Sequence, residues 1–218
     1  MKLRRAFIRT IVIITAVAAA GSSVSAQERP NARPGLRPLA PDHALEGKRR
    51  APAPLKLDRA QRLNTLFEAL KAAPNAQAAQ AVESRIEAMM LQSGSDTADL
   101  LMVRARGVIE AKDYDLSLQL LDSIVELSPD FTEAYAQRAT VHYFKKDVYR
   151  SLADPRVVVA REPRHFAALA GLGVILQDLG QDKRALDAFR RAVQTNPHIK
   201  GIPQIIKRLE VKVEGREI

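Results

Sequence analysis

Proline recurs at Pro129, Pro163 and Pro197, thirty-four residues apart each time. Other positions keep the same phase. Ala105, Ala139 and Gly173 are small, and so are Ser117, Ser151 and Ala185. Leu118, Leu152 and Leu186 are identical, while Leu101, Tyr135 and Leu169 are large and apolar. Ile124, Val158 and Ala192 are apolar throughout. A chain that repeats itself at this stride builds one structural unit several times over.

Within each unit the apolar residues follow helical spacing, and no stretch alternates as a half-buried strand does. The spacing predicts helices over Ala98–Ala111 and Tyr114–Leu127 in the first unit, turning at Lys112–Asp113. In the third unit it predicts Phe166–Leu179 and Asp182–Thr195, turning at Gly180–Gln181. Each proline follows the second helix, where it can no longer break it.

A 34-residue helix–turn–helix unit resembles the tetratricopeptide repeat. The third unit matches that family's pattern best, through Leu169, Leu172, Gly173, Leu176, Ala185, Phe189 and Pro197. Leucine replaces the pattern's usual Trp and Tyr. The resemblance implies an all-α fold, a right-handed superhelix of antiparallel helix pairs. Three repeats span 98–131, 132–165 and 166–199. Residues 57–97 are read as an N-terminal helical hairpin (Leu57–Ala73 and Asn75–Gln92), a degenerate repeat covering the first unit. Residues 200–218 are read as a C-terminal capping helix and tail, with Ile205, Ile206 and Leu209 facing the stack.

Four positions strain the pattern. Gly171 and Gly173 lie inside a helix, each at a cost of about 1 kcal/mol relative to alanine. Gly173 holds the repeat's small position, with Ala185 its small counterpart, so that the second helix can pack close. Gly171 either admits a neighbouring helix or keeps a groove wide. Pro155 falls inside the second helix of the second unit, so that helix either restarts on an Asp154 cap or kinks. Arg138, at an inward phase, is expected to form a structural ion pair with Asp154.

The formal charge of +9 is unevenly spread. Residues 1–26 carry +4, residues 27–56 another +4, and residues 57–218 only +1. The folded part is therefore close to neutral, which argues against nucleic-acid binding, since phosphate neutralisation needs clustered cations on the domain itself. Residues 1–26 join a basic start to a short apolar run and the small residues Val24 and Ala26, the pattern of a cleaved secretory signal. The general secretory route is favoured over the twin-arginine route, and the expected location is the periplasm. Residues 27–56 hold half of the chain's 12 prolines and read as a disordered, basic linker, a spacer or a weak contact for anionic envelope polymers.

No cysteine is present. The four histidines stand apart, none paired with a second ligand at metal spacing. No nucleophile–histidine–acid set and no phosphate-cradling loop is found, so no cofactor, metal or enzymatic activity is expected. A surface is what remains. The resemblance implies that the first helix of each unit lines a concave groove. It places Met102 and Arg106 from the first unit there, Gln137, Thr140, Tyr143 and Phe144 from the second, and Gly171, Val174 and Gln177 from the third. The Lys and Asn set by which this family clamps a C-terminal carboxylate is missing. The expected function is a non-catalytic adaptor in the bacterial envelope, taking a protein, peptide or helix in the groove. The alternatives are a periplasmic chaperone or assembly factor, and a wall-associated module. The whole chain also resembles the short secreted repeat proteins of alphaproteobacteria.

Overall fold

The structure is a computed structural model that describes residues 58–215. The expected signal at 1–26 and the Pro-rich linker at 27–56 lie outside the described residues. Within them the chain forms α1 (Arg59–Lys71), α2 (Ala76–Met90), α3 (Asp96–Glu110), α4 (Tyr114–Leu127), α5 (Thr132–Phe144), α6 (Val148–Arg161), α7 (Phe166–Asp178), α8 (Asp182–Thr195) and α9 (Ile202–Val213). No strand occurs among them. α4 and α8 have the bounds that the hydrophobic spacing predicts.

The 34-residue stride is visible in the backbone. Each of α3, α5 and α7 ends on a residue in the left-handed region, Lys112 (φ 62), Lys146 (φ 64) and Gly180 (φ 71). At each end the same two bonds recur. Lys112 N donates to Ile109 O and Asp113 N to Val108 O, and the pairs at Lys146 and Gly180 repeat them. This is the Schellman closure, which satisfies carbonyls that a helix end leaves open. Asp113 and Asp147 then cap the next helix, their side chains accepting from Leu116 N and Arg150 N. Each helix pair is therefore joined by a minimal turn.

The junctions between units repeat as well. Phe131 N donates to Ser128 O, His165 N to Glu162 O and Ile199 N to Asn196 O. The second residue of each turn is one of the periodic prolines, whose fixed φ suits that position.

From α3 onward each helix packs against its neighbours in sequence, and two cores result. The first gathers Ala98, Met102, Ala105, Ile109, Leu121, Ile124 and Phe131. The second gathers Leu169, Leu186, Phe189 and Ala192 with Ile202, Ile205 and Leu209 of the capping helix α9. Arg190 ties α9 down through Glu210 (2.8 Å) and Glu214 (2.9 Å).

The reason for Gly173 is specific. A Cβ there would lie 2.5 Å from Phe189 Cε1 and 2.7 Å from Cδ1. Phe189 is fully buried, and its ring lies directly on the glycine. The aromatic ring of the second helix, rather than Ala185 alone, requires the missing side chain.

α6 passes through Pro155 as one helix. Asp154 caps no restart, because both its oxygens face Arg138, at 2.8 Å to Nε and 2.8 Å to Nη2. Asp154 is buried, and the bidentate pair supplies the hydrogen bonds its carboxylate needs there. Arg138 also reaches the exposed Asp122 at 2.8 Å. These bonds, the one to Asp154 foremost, hold its guanidinium above the usual arginine range.

The hairpin α1–α2 does not sit where a stacked N-terminal unit would. It has its own small core of Leu66, Phe67, Leu70, Ala79 and Ile86, and this core meets Phe166 at the start of α7. Arg164 Nη1 donates to Asn64 Oδ1 (2.8 Å), and the guanidinium lies 4.4 Å from the Phe67 ring centre. His198 Nε2 lies 2.8 Å from Ala73 O, and Asn196 Nδ2 donates to Glu83. The hairpin thus reaches across to the third unit. The outer face of α3 stays uncovered, with Leu100 71% and Val103 70% exposed.

Candidate functional site

The first helices of the second and third units, α5 and α7, face the hairpin across a cavity of about 140 Å³. α5 contributes Gln137, Thr140, Tyr143 and Phe144, and α7 contributes Gly171 and Val174. α2 closes the opposite side with Glu83, Ile86, Glu87 and Met90. A Cβ on Gly171 would meet no atom within 4 Å. Its missing side chain therefore leaves room in the cavity, the second of the two roles expected for it.

Pro155 helps to make room for the cavity. It occupies the phase held by Leu121 in the first unit and Phe189 in the third, both fully buried anchors. Proline is shorter than either, and it lines the cavity together with Ala139. The second unit thus has a shallow spot where its neighbours have a large side chain.

Polar groups lie in and beside the cavity. Glu133 accepts from Gln137 Nε2 (2.9 Å), and its second oxygen lies 3.2 Å from His165 Nε2. His165 Nδ1 accepts from Ala168 N and so caps α7. That bond leaves the ring proton on Nε2, where it donates to Glu133. Arg106 reaches Glu87 at 3.4 Å. Burial pushes the Glu87 carboxyl above the usual carboxylate range; Arg106 opposes this, while the carboxylates of Glu133 and Glu83 add to it. Tyr143 donates to Asp178 Oδ2 (2.7 Å).

The residues expected at the groove divide as follows. Gln137, Thr140, Tyr143, Phe144, Gly171 and Val174 share one cavity. Met102 does not join them. It is 1% exposed in the first core, because its phase on α3 points between α3 and α4. Arg106 is engaged by Glu87 of the hairpin, and Gln177 stands outside the cavity. The sequence reading missed the α2 wall, Pro155 and the Glu133–His165 pair. The spacing of Glu83, Ile86, Glu87 and Met90 on one helix face was the available signal for the wall. Among the described residues no group of three metal-ligating side chains forms, and no helix is long and apolar enough to cross a membrane.

Comparison with known proteins agrees with the all-helical repeat fold. No protein-family model matches the chain. A TPR repeat-containing protein of Rhizobium etli is 34% identical over 155 residues, 71% of this chain and 76% of the relative. The chain therefore belongs to the tetratricopeptide repeat family. It is also 23% identical over 96 residues to the small glutamine-rich tetratricopeptide repeat-containing protein 2 of Saccharomyces cerevisiae, 44% of this chain and 28% of that protein. Among solved structures, the Sgt2 TPR domain of Aspergillus fumigatus superposes with a TM-score of 0.51 at 15% identity, covering 55% of this chain and 81% of that domain. The first TPR domain of Spaghetti (RPAP3), bound to the HSP90 peptide SRMEEVD, gives 0.52 at 14% identity over 54% and 93%.

Proposed function

We propose that this protein is a non-catalytic adaptor that holds a peptide or helical segment of another protein against the concave face of its repeats. The observation that carries this reading is the cavity lined by Gln137, Thr140, Tyr143, Phe144, Gly171 and Val174. Its volume of about 140 Å³ lies below the ~300 Å³ at which pockets for free small molecules begin. A void of roughly this size takes a benzene ring, so it suits one large apolar side chain of a longer ligand. The peptide-bound state of a structurally similar TPR domain supports a ligand of this kind. The location we propose is the bacterial envelope, on the signal pattern of residues 1–26.

Photocrosslinking in intact cells tests the groove. A photoreactive residue replaces Gly171, where a side chain meets open space. A second probe replaces Tyr149 on α6, which is exposed. A specific protein adduct from position 171 alone is the expected result. An adduct from 149 with none from 171 refutes the groove as the binding face. Cell fractionation with N-terminal sequencing tests export, with Gln27 as the expected first residue; an uncleaved cytoplasmic chain refutes it.

A further inference from the structure

The four residues that α2 turns to the cavity, Glu83, Ile86, Glu87 and Met90, fall at i, i+3, i+4 and i+7. That spacing defines one helix face. It is also the spacing by which an amphipathic helix anchors in a groove. We propose that α2 is a resident ligand of the concave face, and that the partner taken there is an amphipathic α-helix with the same acid-flanked apolar stripe, entering as the hairpin leaves. The proposal rests on the groove reading above and names its partner class.

Three observations carry it. First, several ties from the hairpin to the repeats are polar. They run from Asn64 to Arg164, Ala73 to His198, Glu83 to Asn196 and Glu87 to Arg106. The links nearest the rim, Asn64–Arg164 and Glu87–Arg106, each contribute little, and the bond from the buried Asn196 to Glu83 is the principal polar tie. Second, the hairpin buries its own core, and its apolar links to the repeat cores are two, Phe166 on the hairpin's core and Leu91 on that of the first unit. A unit with a private core can open by itself while the rest stays folded. Third, the seat is incompletely filled. The cavity remains between α2 and the repeats, with the carboxylates of Glu83, Glu87 and Glu133 in its lining and no lysine or arginine. Protein interiors pack without such gaps, so an external helix can fill the groove better than the resident one.

Displacement has a measurable signature. A groove that is open only part of the time binds its ligand with an apparent affinity reduced by the open fraction. Loosening the hairpin must therefore tighten binding in trans. The probe is a fluorescein-labelled synthetic peptide of residues 76–92, titrated into the full chain and into the double variant Asn64→Ala, Glu83→Ala. Fluorescence anisotropy is the readout. The peptide is expected to bind the variant about tenfold tighter than the unaltered chain. A peptide carrying Ile86→Asp and Met90→Asp is expected to bind neither. Hydrogen exchange on the unaltered chain gives a second measurement, in which amides of α1 and α2 exchange at least about tenfold faster than those of α8. Equal affinity for both proteins, binding that survives the broken stripe, or absence of binding each overturns the proposal. So does protection of α2 equal to that of α8. If the peptide fails while the probe at 171 still recovers a cellular partner, the resident-ligand proposal falls and the groove reading stands. If the peptide binds and the cellular adduct comes from 149 with none from 171, the groove reading falls and the partner class named here falls with it, while α2 keeps its place as a resident ligand.

Discussion

Two glycines separated by one residue in α7 should respond to the same substitution with opposite signs. Gly171→Ala adds a methyl group into open space, since no atom lies within 4 Å of the added carbon. The helix then gains the propensity difference, about 1 kcal/mol. Gly173→Ala gains the same amount but sets its methyl 2.5–2.8 Å from three carbons of the Phe189 ring. Carbon atoms prefer separations of about 3.5–4.0 Å, so ring or helix must move by roughly 1 Å. Phe189 has no exposed surface into which it could swing. Overpacking of this kind costs about 1–3 kcal/mol, and the severity of the overlap favours the upper end. The net expectation is a gain of about 1 kcal/mol for Gly171→Ala and a loss of about 2 kcal/mol for Gly173→Ala. Urea unfolding followed by far-UV circular dichroism separates them as opposite midpoint shifts at unchanged slope. Adding Phe189→Leu to Gly173→Ala should recover part of the loss, a coupling expected of residues in contact. Stabilisation by both alanines, or a neutral Gly173→Ala, would refute the claim that the ring requires the glycine.

Three further outcomes follow from the structure. Arg138→Ala leaves the buried Asp154 carboxylate without its bidentate partner and should cost about 3 kcal/mol in urea unfolding. Lys112→Gly and Lys146→Gly relieve left-handed backbone at non-glycine residues; each should stabilise by about 0.5 kcal/mol, the strain relieved exceeding glycine's extra unfolded-state entropy. Burial, the largest effect on His142, holds its pKa below the ordinary 6.5 despite the nearby Asp147 and Asp154. Its neutral form therefore contributes stability that is complete above about pH 6.5 and is lost as the pH falls through the lower folded value. Thermal melts between pH 7 and pH 5 should show a smaller loss for His142→Gln than for the unaltered chain.

Local patterns were readable from the sequence because the forces behind them are local. The stride of Pro129, Pro163 and Pro197 fixed the inter-unit turns, and Lys112–Asp113 and Gly180–Gln181 marked the turns within units. Arg138 and Asp154 lie 16 residues apart, close enough for the phase of one helix pair to align them. The seat of the hairpin was not readable in this way. An apolar stripe such as Leu66, Phe67 and Leu70 states that a face is buried, not what buries it. The ties that orient the hairpin link Asn64 to Arg164 and Ala73 to His198, 100 and 125 residues apart. Each of these polar side chains looks, in sequence, like any solvated surface group. Met102 was misplaced for a related reason. Family phase put Met102 on the groove side, but on α3 that position points between α3 and α4, into the first core.

The bond between Asn64 and Arg164 has a mechanical meaning. Stacked repeats normally touch only their neighbours, so their stabilities add along a line and the array flexes like a coil spring. Here a strut spans the coil from its first helix to the entrance of its third turn. While the strut is in place, the first helix touches a unit that is not its neighbour, so the stabilities of the two are no longer independent. Once it is released, the coil regains its compliance.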